Sequence, residues 1–166
     1  MGLMRTAATR GIIPPWMKVS ELRNMVIRLT TETMSVLEER FGNEGLEAAS
    51  EIFRRLGRED AQALRERLSL GGSVKDAMDS WLVLANIMGA KMHVRWVTEN
   101  RAEADHSFCP QYESFKKLGK IYCEHACLPY VGAVGEGIGE GVQMELVRPA
   151  DDESECIKAI TFSADD

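Results

Sequence analysis

After Pro14 and Pro15, apolar residues recur with the period of a helix. Val19, Leu22, Val26, Leu29, Met34 and Leu37 form one stripe behind a capping residue at Ser20, which predicts a helix to about Phe41. Gly42 and Asn43 interrupt it. Leu46, Ala49, Ile52, Phe53 and Leu56 then resume a stripe that runs past Gly57 through Leu64 to Leu68, where Gly71 and Gly72 close the section. Ser73 with Asp76 three residues on has the pattern of a capping box. It precedes Met78, Trp81, Leu82, Leu84, Ala85 and Met88, and Gly89 marks the end. This third helix is predicted to be the most deeply buried.

From Met92 the period falls to two. Met92, Val94, Trp96 and Thr98 share one face, and beyond a turn near Asn100 so do Ala102, Ala104, His106 and Phe108, which predicts an antiparallel hairpin. Pro110 suits the first turn of a helix carrying Tyr112, Phe115, Leu118, Tyr122, Cys123 and Cys127. Pro129 ends it, and the glycine-rich stretch 132–141 reads as a loop. Two more strands, 142–147 and 156–162, flank Pro149 and an acidic turn. The order helix-helix-helix-hairpin-helix-hairpin predicts an α+β fold, with the helices on one face of a four-stranded antiparallel sheet. An irregular arm over 1–18 precedes a single domain over 19–166, with a helical part at 19–89 and the sheet and cysteine-bearing helix at 90–163.

A chain of 166 residues with 45% hydrophobic content can bury a core without metal or disulfides. Its net charge of −6 argues against a nucleic-acid backbone or an anionic membrane surface as partner. The acidic excess lies late in the chain, at Asp151, Asp152, Glu153 and Glu155 among others. The first residues are basic but lack the apolar core of a secretory leader, and no stretch is apolar enough to span a bilayer, so a cytoplasmic location is expected. The glycine-rich stretch follows no strand and has no phosphate-loop lysine, which excludes a nucleotide fingerprint.

Chemistry concentrates in four cysteines, Cys109, Cys123, Cys127 and Cys156. In a reducing compartment these are free thiols or metal ligands rather than disulfides. Cys123 and Cys127, four apart on one predicted helix, would present both sulfurs on one face. The set predicts a site for zinc, iron or an iron–sulfur cluster; the alternative is that some of the four are small core hydrophobes. His106 is a reserve ligand, whereas His125 falls on the far side of the helix from Cys123 and His93 is an ordinary strand residue. Glu113 and Glu124 are carboxylates on the same helix. Tyr112, Tyr122, Trp81 and Trp96 would line a pocket between helices and sheet or belong to the core.

Phe108-Cys109-Pro110, Leu118-Gly119-Lys120, Cys123 to Cys127 and the acidic turn before Cys156 together resemble the L-2-amino-thiazoline-4-carboxylic acid hydrolase-like family, over about the C-terminal half. The resemblance extends in architecture to 4-vinyl reductase-type ligand-binding domains. It implies a homodimer with an apolar pocket, and an enzyme that opens a cyclic C–N ring. Cys109, Cys123 and Cys156 are the matching positions, and Cys127 stands where an acidic residue is expected. Two readings follow. In one, Cys109, Cys123, Cys127 and Cys156 hold zinc or iron, Cys123 also being the candidate nucleophile, and His106 or Glu124 moves protons during hydrolysis of a small substrate. In the other, a non-enzymatic binding or sensing domain keeps a closed metal or iron–sulfur site beside a ligand pocket.

Overall fold

The computed structural model describes Thr9 and residues 11–163; residues 1–8, among them most of the segment considered above as a leader, lie outside the described residues. Helix α1 spans Pro15–Leu68, and its first turn takes in residues 15–18, which were expected in the irregular arm. Pro15 suits that first turn because its missing N–H would have no helical partner there and its φ is already helical. The interruption expected at Gly42 is present as a kink, with φ 59° and ψ −138°, a conformation open only to glycine at low cost. Helix α2, Val74–Met88, starts at the expected capping box: Asp76 N–H donates to Ser73 Oγ, and the Asp76 carboxylate accepts the Ser73 N–H.

Strands β1 (Lys91–Thr98) and β2 (Arg101–Phe108) form the expected hairpin, pairing Met92 with His106, Val94 with Ala104 and Trp96 with Ala102. Helix α3 (Pro110–Leu118), helix α4 (Cys127–Ile138), and strands β3 (Val142–Arg148) and β4 (Ile157–Phe162) follow. The sheet runs β1-β2-β4-β3, antiparallel throughout, so the last strand sits inside it. The fold is α+β, with N-terminal helices and a four-stranded antiparallel sheet.

Two expectations fail in the same region. The helix from Pro110 does not continue to Cys127: it stops at Leu118, where Gly119 turns left-handed and the N–H groups of Gly119 and Lys120 close onto Lys116 and Phe115 carbonyls. The glycine-rich stretch, expected as a loop, is helical to Ile138. Its glycines serve packing. A Cβ on Gly137 would stand 2.6 Å from Ala61 Cβ, and one on Gly135 would stand 3.2 Å from both Ile160 Cδ1 and Trp81 Nε1. Opposite them, a Cβ on Gly57 of α1 would approach Tyr130 O to 2.4 Å. Glycine weakens an isolated helix by roughly 1 kcal/mol per residue, a cost offset here by close packing against α1 and the sheet.

The interior forms two clusters. One joins Trp81, Met78, Val134, Ile138 and Ile160 between helices and sheet. The other joins Met34, Leu46, Phe115 and Tyr122 beneath α1, with the Phe115 and Tyr122 rings edge to face at 5.4 Å. The early stripe of α1 is not buried as its periodicity suggested: Val19, Leu22 and Leu29 are more than half exposed. That part of the helix meets α3 through another face, where Gln111 Nε2 donates to Thr31 Oγ1 at 3.0 Å and Thr31 shares a hydrogen bond with Ser114. Among the described residues no helix is long and apolar enough to cross a membrane.

Replacing Gly57 by Ala should destabilise the fold by about 1–3 kcal/mol despite alanine's better helix propensity, because the clash is with backbone of α4. A lowered urea midpoint checks this; an unchanged or raised midpoint would refute the close-packing account.

Candidate functional site

A cavity of about 370 Å³ lies between the two clusters, bounded by α1, α2, the start of α4 and the inner face of the sheet. Phe53 and Leu56 of α1, Leu84 and Met88 of α2, Met92 of β1 and Val131 of α4 supply apolar wall. The size is that of pockets for small organic ligands. Cys109, Cys123, Cys127, Cys156, His106, Glu155 and Lys158 also line it. A larger recess elsewhere, about 700 Å³ near Ser73, Trp96 and Asn100, has only the exposed Lys75 and Glu99 as charged lining.

Each polar lining group is placed by the backbone. Lys158 pairs with Ala104 across β2 and β4, and His106 and Cys156 each lie two residues beyond that pair along the chain. Alternation along β4 turns Lys158 and Ile160 inward. Lys158 is 4% exposed, and its Nζ lies 5.2 Å from the centroid of the Trp81 ring. None of the ion pairs among the described residues involves it. The Trp81 ring is held by donation from Nε1 to Val131 O at 2.7 Å. Glu155 Oε1 accepts the Cys109 N–H at 2.9 Å, while its Oε2 is buried with no partner; burial raises its pKa.

His106 Nδ1 is likewise buried without a partner. Burial, helped by the nearby Lys158 charge, depresses the imidazole to about 3, so the ring is neutral at ordinary pH. Burial pushes the Cys109 thiol up to about 11 and raises Cys156. Cys123 and Cys127 act as a pair. A hydrogen bond from the Cys127 thiol lowers Cys123, with Lys158 contributing, and the same bond raises Cys127. The arrangement offers one thiol readier than the rest to ionise, a neutral imidazole and a buried cation.

The structure therefore brings Cys109, Cys123, Cys127, Cys156 and His106 to one cavity, by a different route from the one expected. Cys123 lies in the turn before α4 and Cys127 is the first residue of that helix; the Leu128 N–H closes onto Cys123 O at 2.9 Å. Ending α3 at Leu118 is what allows the chain to return toward Cys109. Glu124 is exposed and does not line the cavity, nor does Glu113. His125 packs on α1, its Nδ1 3.3 Å from Ser50 Oγ, and His93 meets Ser107 on the outer face. Tyr112 lines the cavity and donates to Asp151 O, whereas Tyr122 donates to Glu38 beneath α1. Sequence reasoning passed over Lys158 and Glu155, although the alternation Cys156, Lys158, Ile160 contains the signal: a lysine on the inward side of an apolar strand.

Clustering of thiols is not coordination. Among the described residues no group of three or more His, Cys, Asp or Glu is arranged to hold a metal ion. The expectation of a zinc, iron or iron–sulfur site on Cys109, Cys123, Cys127 and Cys156, and of metal-dependent hydrolysis there, is corrected accordingly. The four thiols come from a helix cap, a turn, a helix start and a strand approach, and so they line a cavity instead of converging on one point.

No protein-family model matches this chain, and no curated protein matches it. One solved chain, described as "Probing the function of heme distortion in the H-NOX family", is similar over 88% of this chain and 91% of its own, at 16% identity and a TM-score of 0.44. Similarity at that level carries no chemistry across. The resemblance to the L-2-amino-thiazoline-4-carboxylic acid hydrolase-like family thus finds no support in either comparison, and the cysteine spacing that carried it is withdrawn as evidence of kinship.

Two outcomes are expected. His106 binds no proton in the folded chain until far below its ordinary pKa of 6.5. The unfolded chain therefore takes up more protons as pH falls through that value, and stability is lost on acidification. Between pH 7 and pH 5 this removes about 2 kcal/mol, and His106→Gln should flatten that part of the urea-midpoint profile; an unaltered slope would contradict the neutral buried ring. Iodoacetamide near pH 8 should label Cys123 ahead of the other three thiols, as peptide mass spectrometry would show, and preferential labelling of Cys109 would contradict the assigned order.

Proposed function

We propose that this chain is a small-molecule-binding domain of the sensing kind, with its ligand held in the cavity between the helices and the sheet. One observation carries this reading: a cavity of about 370 Å³ whose walls are apolar and whose polar lining includes two buried polar atoms without partners, His106 Nδ1 and Glu155 Oε2. Buried polar atoms are normally satisfied, so their presence in the lining supports a site completed by a bound molecule. The walls provide affinity through apolar burial, and the few polar groups provide orientation. The four free thiols suit the cytoplasm, where reduced cysteine is maintained.

The second copy of this chain is the partner proposed for the exposed stripe of α1. Trp16, Val19, Leu22 and Leu29 stand open along one face. Residues 15–29 contain Lys18, Arg23 and Arg28 against Glu21, and residues 30–41 contain Glu32, Glu38 and Glu39 against Arg40. An antiparallel two-fold pairing would lay the basic half of one helix over the acidic half of the other while covering the apolar stripe.

Calorimetric titration with phenyl-terminated alkyl amides and acids of increasing chain length tests the binding reading. Saturable one-site binding by at least one member is expected, together with its loss in Leu84→Trp, which fills the cavity while the circular dichroism spectrum stays native. Absence of binding across both series, or binding indifferent to the filled cavity, would sink it. Hemin belongs in the same experiment, since a Soret band at stoichiometric hemin would make a porphyrin the occupant. Sedimentation equilibrium tests the pairing: Leu22→Glu with Leu29→Glu should convert dimer to monomer, and a wild-type monomer at all concentrations would refute it.

A further inference from the structure

Among the described residues Lys158 is the only Lys or Arg in the cavity lining, and it is nearly inaccessible to bulk water. A buried ammonium needs compensation, since removing a charge from water costs several kcal/mol unless an opposite charge or hydrogen bonds replace hydration. Its contact with the Trp81 ring supplies part of this. No carboxylate among the described residues reaches it at ion-pair distance. Glu155, the acidic group nearest in sequence, uses Oε1 to accept the Cys109 N–H. The other carboxylate, imidazole and thiol groups of the lining are Asp60, which accepts from the Tyr130 hydroxyl, the neutral His106 ring and the thiols, of which Cys123 alone is lowered toward its anion.

We propose that the ligand is an apolar carboxylic acid, its tail against the Phe53, Leu84 and Met92 walls and its carboxylate on Lys158 Nζ. This inference rests on the binding reading above and names the ligand class for the same site. The anion supplies the missing counter-charge to Lys158, and a charge-assisted bond formed away from water is stronger than a neutral one. Burial raises the Glu155 pKa, which lessens the repulsion that a second carboxylate would meet in the same lining. The Trp81 indole, held by its donation to Val131 O, lies against Lys158 Nζ at 5.2 Å from the ring centroid.

The test compares phenyl-terminated acids with the primary amides of the same length, which match them in shape and lack the charge. Wild-type protein should bind the best acid about tenfold to a hundredfold more tightly than its amide. Lys158→Met should erase that preference while leaving amide binding in place, and Lys158→Gln serves if the methionine variant does not fold. Equal binding of acid and amide by wild-type protein would overturn the carboxylate proposal and leave the binding domain standing. Failure of both series would remove the binding reading itself. Acid preference that survives both substitutions would also overturn the role of Lys158.

Discussion

Everything in this fold depends on how closely α4 can approach α1. A helix laid between a long helix and a sheet must fit backbone to backbone on one side and backbone to side chains on the other. Gly57 on α1, with Gly135 and Gly137 on α4, removes the atoms that would keep them apart. The contact sets the position of Tyr130 and Val131, and Val131 O in turn holds the Trp81 indole. Trp81 then closes one side of the cavity and carries the Lys158 ammonium on its face. The lining follows from a packing constraint several residues away.

Inside the cavity, low polarizability governs each group's chemistry. Burial is the largest cause of the lowered His106 and of the raised Cys109 and Cys156, since the penalty falls on whichever form is charged. Cys123 goes the other way because it receives a thiol hydrogen bond from Cys127 and lies near a cation. Four cysteines in one place thus describe a soft surface beside a buried lysine, which is a different site from a metal centre.

Much of the scaffold was legible from local patterns. The capping box at Ser73 and Asp76, the break at Gly42, the two-residue period of the hairpin and the inward face holding Ala104 and His106 are all decided within a few neighbouring residues. Helical and strand periods differ enough that the α+β order could be read directly. The early stripe of α1 shows the limit: periodicity locates an apolar face at Val19, Leu22 and Leu29 but does not say what covers it.

What the linear chain could not decide was where distant segments meet. Glycine is ambiguous by itself, being equally a loop former and a residue that lets backbones touch, and only Ala61, Tyr130 and Ile160 pressing on α4 make the second meaning apply. The same holds for the cysteines, whose spacing suggests coordination until the end of α3 at Leu118 and the register of β4 set their directions. Outside 119–138 the sequence by itself determined the elements, because helix, strand and cap signals are local energies. Tertiary structure decided the cavity, the buried cation and the absence of a metal cluster among the described residues, because each requires side chains far apart in sequence to share one low-dielectric space.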